Sequence, residues 1–228
     1  MSSSTRSFMF NRRQVLGAAA AGVAALGLTA CGGGPAPAPA GSDDANASED
    51  QEPAALDAEA YDKLIASGAV ADDATIAAST WAQKIKDAGA MRLGVVQTSM
   101  LFSLLNEKDG KLRGFDAGLS QLLVRYILGD ESKFESTQVT SDTRESVLQN
   151  DQVDAVFATY SITEDRKKLI SFAGPYYSTQ QSILVLADND SIEGLEDLAG
   201  KNVAAQSGST GPSIMEELCP DAKLQEFK

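Results

Sequence analysis

Apolar and polar positions alternate along much of this chain in a way that predicts strands and helices in turn. Val153 to Ala158 form a short, nearly continuous apolar run, which is typical of a strand buried on both faces of a parallel sheet. Thr159 to Ser161 are polar, and a helix pattern follows at once, with Ser161-x-x-Glu164 as its expected capping box. This strand, turn and helix form the unit around which the rest of the chain is organised.

The same alternation continues on both sides of this run. Further strands are predicted at residues 92–96, 133–139, 182–186 and 202–205, and helices at about 115–128, 141–149 and 192–198. Residues 97–105 are expected to form a loop. Gly129 and Asn150 are expected to end their helices, and Pro212 to begin another after a glycine-rich turn. Alternating strands and helices imply an α/β domain with a mostly parallel sheet.

The first 56 residues have a different pattern. A basic start is followed by the apolar stretch Val15–Leu28, which is too short to span a bilayer comfortably and is typical of a signal-peptide core. It ends at Cys31, in a sequence that resembles the lipobox of bacterial lipoproteins. Arg12 and Arg13 also suggest twin-arginine export, with the Sec route left open. Residues 32–56 are rich in Gly, Pro, Ala and acids, so we expect a disordered tether.

Composition narrows the possible functions. The formal net charge of −13 argues against nucleic acid as a partner. The chain has no His and only two, distant Cys, so ordinary zinc sites and Ser-His or Cys-His catalysis are largely excluded. The sequence therefore calls for no metal or other cofactor.

Two arginines near predicted helix starts suggest an anion site. Arg166 lies in the first turn of the helix after the central strand, and Arg144 follows Ser141 at the start of another. A cation there opposes the helix dipole, which makes sense if the helix end holds an anion. The glycine-rich turn at residues 208–211 would add outward-facing N–H groups. Each feature taken alone is more often an ordinary cap or turn, but together they suit a small dicarboxylate. Phe102 could wall this site or belong to the core.

From about Trp81 onwards the chain resembles the amino-acid-binding proteins of bacterial ABC importers, with the type II periplasmic-binding fold. The matching motifs are Arg92-Leu93-Gly94-Val95, Gly114-Phe115-Asp116, Leu148-Gln149 before Val153-Asp154-Ala155, Ser161-Ile162-Thr163-Glu164-x-Arg166-Lys167-Lys168, Phe172-x-x-Pro175-Tyr176-Tyr177, Leu195-Glu196-Asp197-Leu198-x-Gly200-Lys201 and Gly208-Ser209-Thr210. The resemblance implies two α/β lobes that close on a ligand. We expect a helical extension of one or two loosely packed helices at residues 57–88, lobe 1 at 89–186 and an incomplete lobe 2 at 187–228.

The resemblance also implies roles for individual residues. Arg166 would clamp the α-carboxylate of the ligand, and Ser161 would contribute its hydroxyl and N–H. The carbonyl of Thr159 would face the ligand ammonium. Ser209 and Thr210 would bring N–H and hydroxyl groups from the other lobe. The acidic residue that meets the ammonium in this family would lie beyond Lys228.

Within the family, Ser141-x-x-Arg144 resembles the glutamate and aspartate binders, whose Ser and Arg face the side-chain carboxylate. This favours an acidic amino acid, with glutamine left open. The expected protein is a lipid-anchored receptor, acylated at Cys31 and held outside the cytoplasmic membrane, which passes its ligand to an ABC permease and ATPase. The alternatives are a sensor domain for a membrane partner and, less favoured, a dehydratase or lytic enzyme on the same scaffold.

Overall fold

The computed structural model describes residues 56–228, so Cys31 and the predicted signal peptide lie outside the described part. In chain order the helices are α1 (Ala58–Ala66), α2 (Asp73–Ala77), α3 (Thr80–Ala88), α4 (Phe115–Leu128), α5 (Arg144–Gln149), α6 (Glu164–Lys167) and α7 (Gly211–Leu218). The strands are β1 (Met91–Val95), β2 (Thr98–Ser99), β3 (Ser103–Leu105), β4 (Leu112–Arg113), β5 (Phe134–Gln138), β6 (Ala155–Phe157), β7 (Asn202–Gln206) and β8 (Lys223–Phe227).

A three-stranded parallel sheet forms the centre of the fold, with β1 between β5 and β6. Met91, Leu93 and Val95 of β1 are at most 1% exposed and share one apolar core with α4. The α/β class and the parallel sheet predicted from the alternating pattern are therefore confirmed. Because β5 and β6 flank β1, the segments that follow these two strands meet at the same edge of the sheet.

The N-terminal helices pack more tightly than the sequence led us to expect. Three helices form, and each begins at a polar side chain that accepts a backbone N–H, namely Asp57, Asp72 and Ser79. Ile76 and Ile85 are each 1% exposed and belong to the same core as β1. Burying one isoleucine contributes about 1.5–3 kcal/mol, so the expectation of loose packing was wrong.

Helix α1 and the segment after it lie along α4. A Cβ at Gly118 of α4 would lie 3.1 Å from the Tyr61 hydroxyl and 3.3 Å from Cδ1 of Ile65. Glycine inside a helix costs about 1 kcal/mol relative to alanine, and the close approach of α1 explains why it stands here. Near the other end of α4, Arg125 Nε donates to the Gly68 carbonyl at 2.7 Å.

Helix α3 is attached to the edge of the parallel sheet. Trp81 is 41% exposed and donates Nε1–H to the Asp154 carbonyl at 3.3 Å. The Asp154 carboxylate in turn accepts from the Arg92 guanidinium at 2.6 Å and from the Arg92 backbone N–H at 2.8 Å. These contacts fix the extension to the amino ends of β1 and β6.

Strands β2, β3 and β4 form a small antiparallel sheet. The prediction of a plain loop at residues 97–105 missed β2 and β3, which are only two and three residues long. Gly114 follows β4 with φ 134°, and a Cβ there would overlap the Phe102 carbonyl. Only glycine allows this approach. The Phe115 N–H donates to the Leu101 carbonyl at 2.8 Å, so the hairpin is fastened to the start of α4.

Two predicted helix ends were wrong. Thr163, not Ser161, caps α6, because Thr163 is the extended residue next to the helix and its hydroxyl accepts the Arg166 N–H at 3.3 Å. Helix α6 is only four residues long. Asn150 has φ −90°, and the positive φ of 53° falls on Asp151 instead. Gly129 ends α4 with φ 75°, as predicted.

Residues 182–186 form no strand, which contradicts the prediction from their apolar run. Leu184 is 97% exposed and Leu186 78% exposed. A strand is stable only when its backbone groups pair with a neighbouring strand, and none of the strands within residues 56–228 pairs with this segment.

The last part of the chain forms a smaller unit. Strands β7 and β8 pair in parallel, and α7 connects them with Pro212 in its first turn, as expected. The turn predicted at 192–198 is a 3-10 helix over Leu195–Leu198. The lobe boundaries at 89–186 and 187–228 stay predictions. None of the helices within residues 56–228 is long and apolar enough to cross a membrane.

Candidate ligand site

The guanidinium groups of Arg144 and Arg166 converge at the edge of the sheet that follows β5 and β6. Both donate to one acceptor, the Gly208 carbonyl, with Nη2 to oxygen distances of 3.2 Å for Arg144 and 3.0 Å for Arg166. Their central carbons lie 3.9 and 4.4 Å from the ring centre of Tyr160. Two like charges therefore share one oxygen and one aromatic ring, an arrangement that an anion would stabilise.

Arg144 is almost entirely buried. The residue is only 4% exposed, and its Nη1 donates to the Ala158 carbonyl at 3.0 Å. Its Nε has no hydrogen-bond partner within the described part of the chain. Burial, followed by the nearby charge of Arg166, lowers the pKa of Arg144 to about 10. Arg144 is thus a cation at neutral pH with an unsatisfied donor, and such a group is costly without an acceptor.

Arg166 is fixed by its own loop and by a carboxylate that the sequence did not single out. Its Nη1 donates to the Ser161 carbonyl at 2.9 Å. Its Nε lies 3.7 Å from Oε1 of Glu145, and the Tyr160 hydroxyl donates to that same carboxylate. Burial lowers the pKa of Arg166, and the charge of Glu145 opposes that shift. Glu145 follows Arg144 directly, and this adjacency was the only sequence signal for it.

Thr159 is held in an unusual backbone conformation by a second carboxylate that sequence reasoning missed. Its φ is 45°, which costs a β-branched residue on the order of 1–3 kcal/mol. Its N–H donates to Oδ2 of Asp116 at 2.7 Å, and the Tyr176 hydroxyl donates to Oδ1 at 3.2 Å. Asp116 is 1% exposed, and burial raises its pKa. An acid in the apolar first turn of a core helix was the available signal.

The glycine-rich turn lies against the start of α5, and its hydrogen bonds differ from the prediction. A Cβ at Gly208, where φ is 70°, would lie 2.8 Å from the Ser141 carbonyl group. The Ser209 hydroxyl donates to the Gln206 carbonyl at 2.6 Å and accepts the Gly211 N–H at 3.0 Å. The Ser209 N–H donates to the same Gln206 carbonyl at 3.2 Å. The expectation that the N–H groups at 208–211 all face outward was therefore wrong, because the tight turn uses two of them internally.

The remaining predicted residues lie around this centre. Thr210 accepts a hydrogen bond from Gln181 Nε2 at 3.1 Å. Phe102 makes edge-on contacts with Phe115 at 6.2 Å and Tyr177 at 5.4 Å between ring centres. Both rings belong to an aromatic cluster formed by Phe102, Phe115, Phe157, Tyr176 and Tyr177. Tyr176 of this cluster donates a hydrogen bond to Asp116, and Asp116 also accepts the Thr159 N–H. The cluster therefore connects Phe102 with Thr159.

The fold and the family match together define the class of protein to which this chain belongs. The chain has the type II periplasmic-binding fold, and residues 91–223 match the family model of the bacterial extracellular solute-binding proteins, family 3. The chain belongs to that family.

Two relatives and one solved structure illustrate the similarity. The glutamine-binding protein of Geobacillus stearothermophilus is 38% identical over 155 residues, which cover 68% of this chain and 59% of the relative. The glutamate-binding protein of Corynebacterium glutamicum is 36% identical over 128 residues, which cover 54% of this chain and 43% of the relative. The crystal structure of an ancestral amino-acid-binding protein, a precursor of cyclohexadienyl dehydratase, superposes with TM-score 0.60 and 34% identity over 65% of each chain. The chain spans about half the length of the curated relatives it matches.

Proposed function

We propose that the complete protein captures an acidic amino acid between two lobes and delivers it to an ABC permease without changing it covalently. The observation that carries the proposal is the shared use of the Gly208 carbonyl by Arg144 and Arg166. A neutral carbonyl is a weak acceptor for two cations. A ligand carboxylate in its place would form shorter, charge-assisted hydrogen bonds and would relieve the unfavourable proximity of the two guanidinium groups.

The Nε of Arg144 is buried without an acceptor in this conformation, and a second acceptor on the ligand would satisfy it once the surrounding side chains rearrange on binding. Guanidinium groups only donate hydrogen bonds, and a carboxylate only accepts them. A glutamate or aspartate ligand would match both arginines with acceptors, whereas the amide of glutamine would bring its own donors into the same place. Phe102, Ser141, Thr159, Ser161, Ser209 and Thr210 are proposed as the other ligand-binding residues.

The relatives favour an amino acid as the ligand, but they do not favour one particular amino-acid side chain. Those described above are named as glutamine-binding and glutamate-binding proteins. Asp142 and Glu145 lie near Arg144 and partly offset its charge, so the charge count alone does not decide between an acid and an amide. The preference for an acidic ligand therefore depends on hydrogen-bond geometry at Arg144.

Calorimetric titration of the complete protein with glutamate, aspartate and glutamine tests the proposal directly. We expect glutamate or aspartate to bind more tightly than glutamine. The Arg144→Gln variant should reduce this difference in affinity, because it loses a side chain that can only donate hydrogen bonds. Tighter binding of glutamine by the wild type would overturn the acidic preference. Failure to bind any amino acid would overturn the proposed function.

The same proposal places the protein outside the cytoplasmic membrane, anchored through an acylated Cys31 and exported by the Sec or twin-arginine route. The Cys31→Ala variant should leave the membrane fraction and appear in the soluble extracytoplasmic fraction, while Cys219→Ala serves as the matched control. Cys219 is buried, and its Sγ lies 3.8 Å from the Leu195 carbonyl. Membrane retention of both variants would contradict a lipid anchor at Cys31.

A further inference from the structure

Helix α1 contacts the residues that support one wall of the candidate site. The family model begins at residue 91, so α1 precedes the part of the chain that the model matches. We propose that Tyr61 and Asp62 are positioning residues. Through them α1 fixes the hairpin of β2 to β4, which carries Phe102, and the first turn of α4, whose Asp116 holds Thr159. The effect on ligand affinity rests on the proposed function, whereas the effect on the hairpin does not.

The first contact is an ion pair with a buried partner. Arg113 is 7% exposed, and its Nε and Nη2 lie 2.9 Å from Oδ1 and Oδ2 of Asp62. Arg113 Nη1 also contacts Asp109 at 2.8 Å, and Lys111 Nζ contacts Asp62 at 2.7 Å. Both cations belong to the hairpin or its turn, whereas Asp62 belongs to α1. A buried guanidinium needs its carboxylate partners, so docking of α1 determines where Arg113 lies.

The second contact is made by the neighbouring residue. The Tyr61 hydroxyl lies 3.1 Å from the Gly114 carbonyl and 3.1 Å from Oε1 of Gln121, so its one hydrogen can go to either acceptor. Gln121 is itself oriented, because its Nε2 donates to the Leu112 carbonyl at 3.0 Å. Tyr61 thus fixes the backbone at the glycine that lies against Phe102.

The first turn of α4, next to the residues that Tyr61 and Asp62 contact, bonds to residues on both sides of the candidate site. The Ala117 N–H donates to the Phe102 carbonyl at 3.1 Å, which holds the hairpin. Asp116, in the same turn of α4, accepts the Thr159 N–H at 2.7 Å. A displacement at residues 113–117 would therefore move Phe102 and Thr159 together. Binding sites tolerate little displacement of their contact groups, so such a shift should weaken binding.

A matched set of variants separates positioning from general stabilisation. Tyr61→Phe removes only the hydroxyl, and Asp62→Asn keeps the shape of the side chain. Arg125→Gln is the control, because it breaks the contact to Gly68 at the other end of α4 and leaves the hairpin contacts intact. Hydrogen exchange of residues 100–118 is measured in the complete protein without ligand, and affinity for glutamate is measured by calorimetry.

We expect Tyr61→Phe and Asp62→Asn to speed exchange in residues 100–118 and to lower affinity about twofold to thirtyfold, the range of coupling through a packed network. Arg125→Gln should do neither. Unchanged exchange in Tyr61→Phe, or equal effects of Tyr61→Phe and Arg125→Gln, would overturn the proposal. If the wild type binds no amino acid, the proposed function fails, and the exchange comparison still decides whether α1 holds the hairpin.

Discussion

The buried carboxylate of Asp116 allows a quantitative test of how the candidate site is held together. Replacing Asp116 by Ala removes the acceptor of the Thr159 N–H at 2.7 Å and of the Tyr176 hydroxyl at 3.2 Å. Thr159 and Tyr176 are exposed residues, so water can partly replace the lost acceptor, and each hydrogen bond is worth about 0.5–1.5 kcal/mol. We therefore expect Asp116→Ala to lose about 1–3 kcal/mol from the free energy of unfolding, where a domain commonly has about 5–15 kcal/mol in total.

The matched control is Asp116→Asn, which keeps the shape of the side chain. Its amide oxygen can accept the Thr159 N–H, and its NH2 group can donate to the Tyr176 hydroxyl. We expect this variant to lose less than about 1 kcal/mol, because it can keep both hydrogen bonds. Urea unfolding followed by circular dichroism measures both changes. A loss below about 1 kcal/mol in the alanine variant would refute the idea that Asp116 holds Thr159 in its strained conformation.

Comparing the wild type with Asp116→Asn also predicts how the free energy of unfolding changes with pH, and with which sign. Burial raises the pKa of Asp116 above the ordinary value of 3.8, so the folded protein binds the proton more tightly than the unfolded chain does. The resulting stabilisation is fully present below the unfolded pKa and is lost as the pH rises through the folded value. The stability of the wild type relative to Asp116→Asn should therefore fall from acid to neutral pH. A relative stability that rises with pH would contradict the burial of this carboxylate.

Three further predictions concern other contacts. Arg166→Ala should lose about 2–4 kcal/mol of glutamate binding in calorimetry, because a buried ligand carboxylate would be left without its partner; normal binding would show that Arg166 is not the clamp. Gly118→Ala should lower the melting temperature despite better helix propensity, because the new Cβ would lie 3.1 Å from the Tyr61 hydroxyl, which its contacts with Gly114 and Gln121 hold in place; a higher melting temperature would contradict the close approach of α1. Hydrogen bonds from Arg113, and to a lesser extent from Lys111, lower the pKa of Asp62 from 3.8 to about 2. The stability that these bonds contribute is therefore present above the unfolded pKa and is lost as the pH falls through the folded pKa. Acid unfolding of Asp62→Asn should lack that part of the pH dependence, and a curve parallel to the wild type would refute this contribution.

Local patterns predicted the elements whose stability depends on nearby residues. Strand β1 and helix α4 follow directly from apolar periodicity, and Gly129 ends α4 because a left-handed residue favours glycine. The approach of Arg144 to Arg166 was predictable from topology, because each follows a strand that flanks β1 and the carboxyl ends of such strands meet. Their roles in ligand binding stay predictions.

Features that depend on distant partners were not predictable from the local pattern. The apolar run at 182–186 looks like a strand, but strand formation needs a neighbour that the pattern cannot supply. Asp116 meets Thr159 across 43 positions of sequence. An acid in an apolar helix turn marks Asp116 as unusual, but nothing near it identifies Thr159 as its partner. The glycine at 118 looks unfavourable in the sequence, and only the passage of α1 over it explains its presence.

The indole of Trp81 gives this protein an intrinsic optical reporter. The chain contains one tryptophan, and its Nε1–H is bound to the Asp154 carbonyl where α3 meets the sheet. Tyrosine and phenylalanine absorb at shorter wavelengths, so excitation at the red edge would address this single ring. Its emission would shift if α3 came away from the strands, and detachment of the extension could be followed in unlabelled protein while ligand is added.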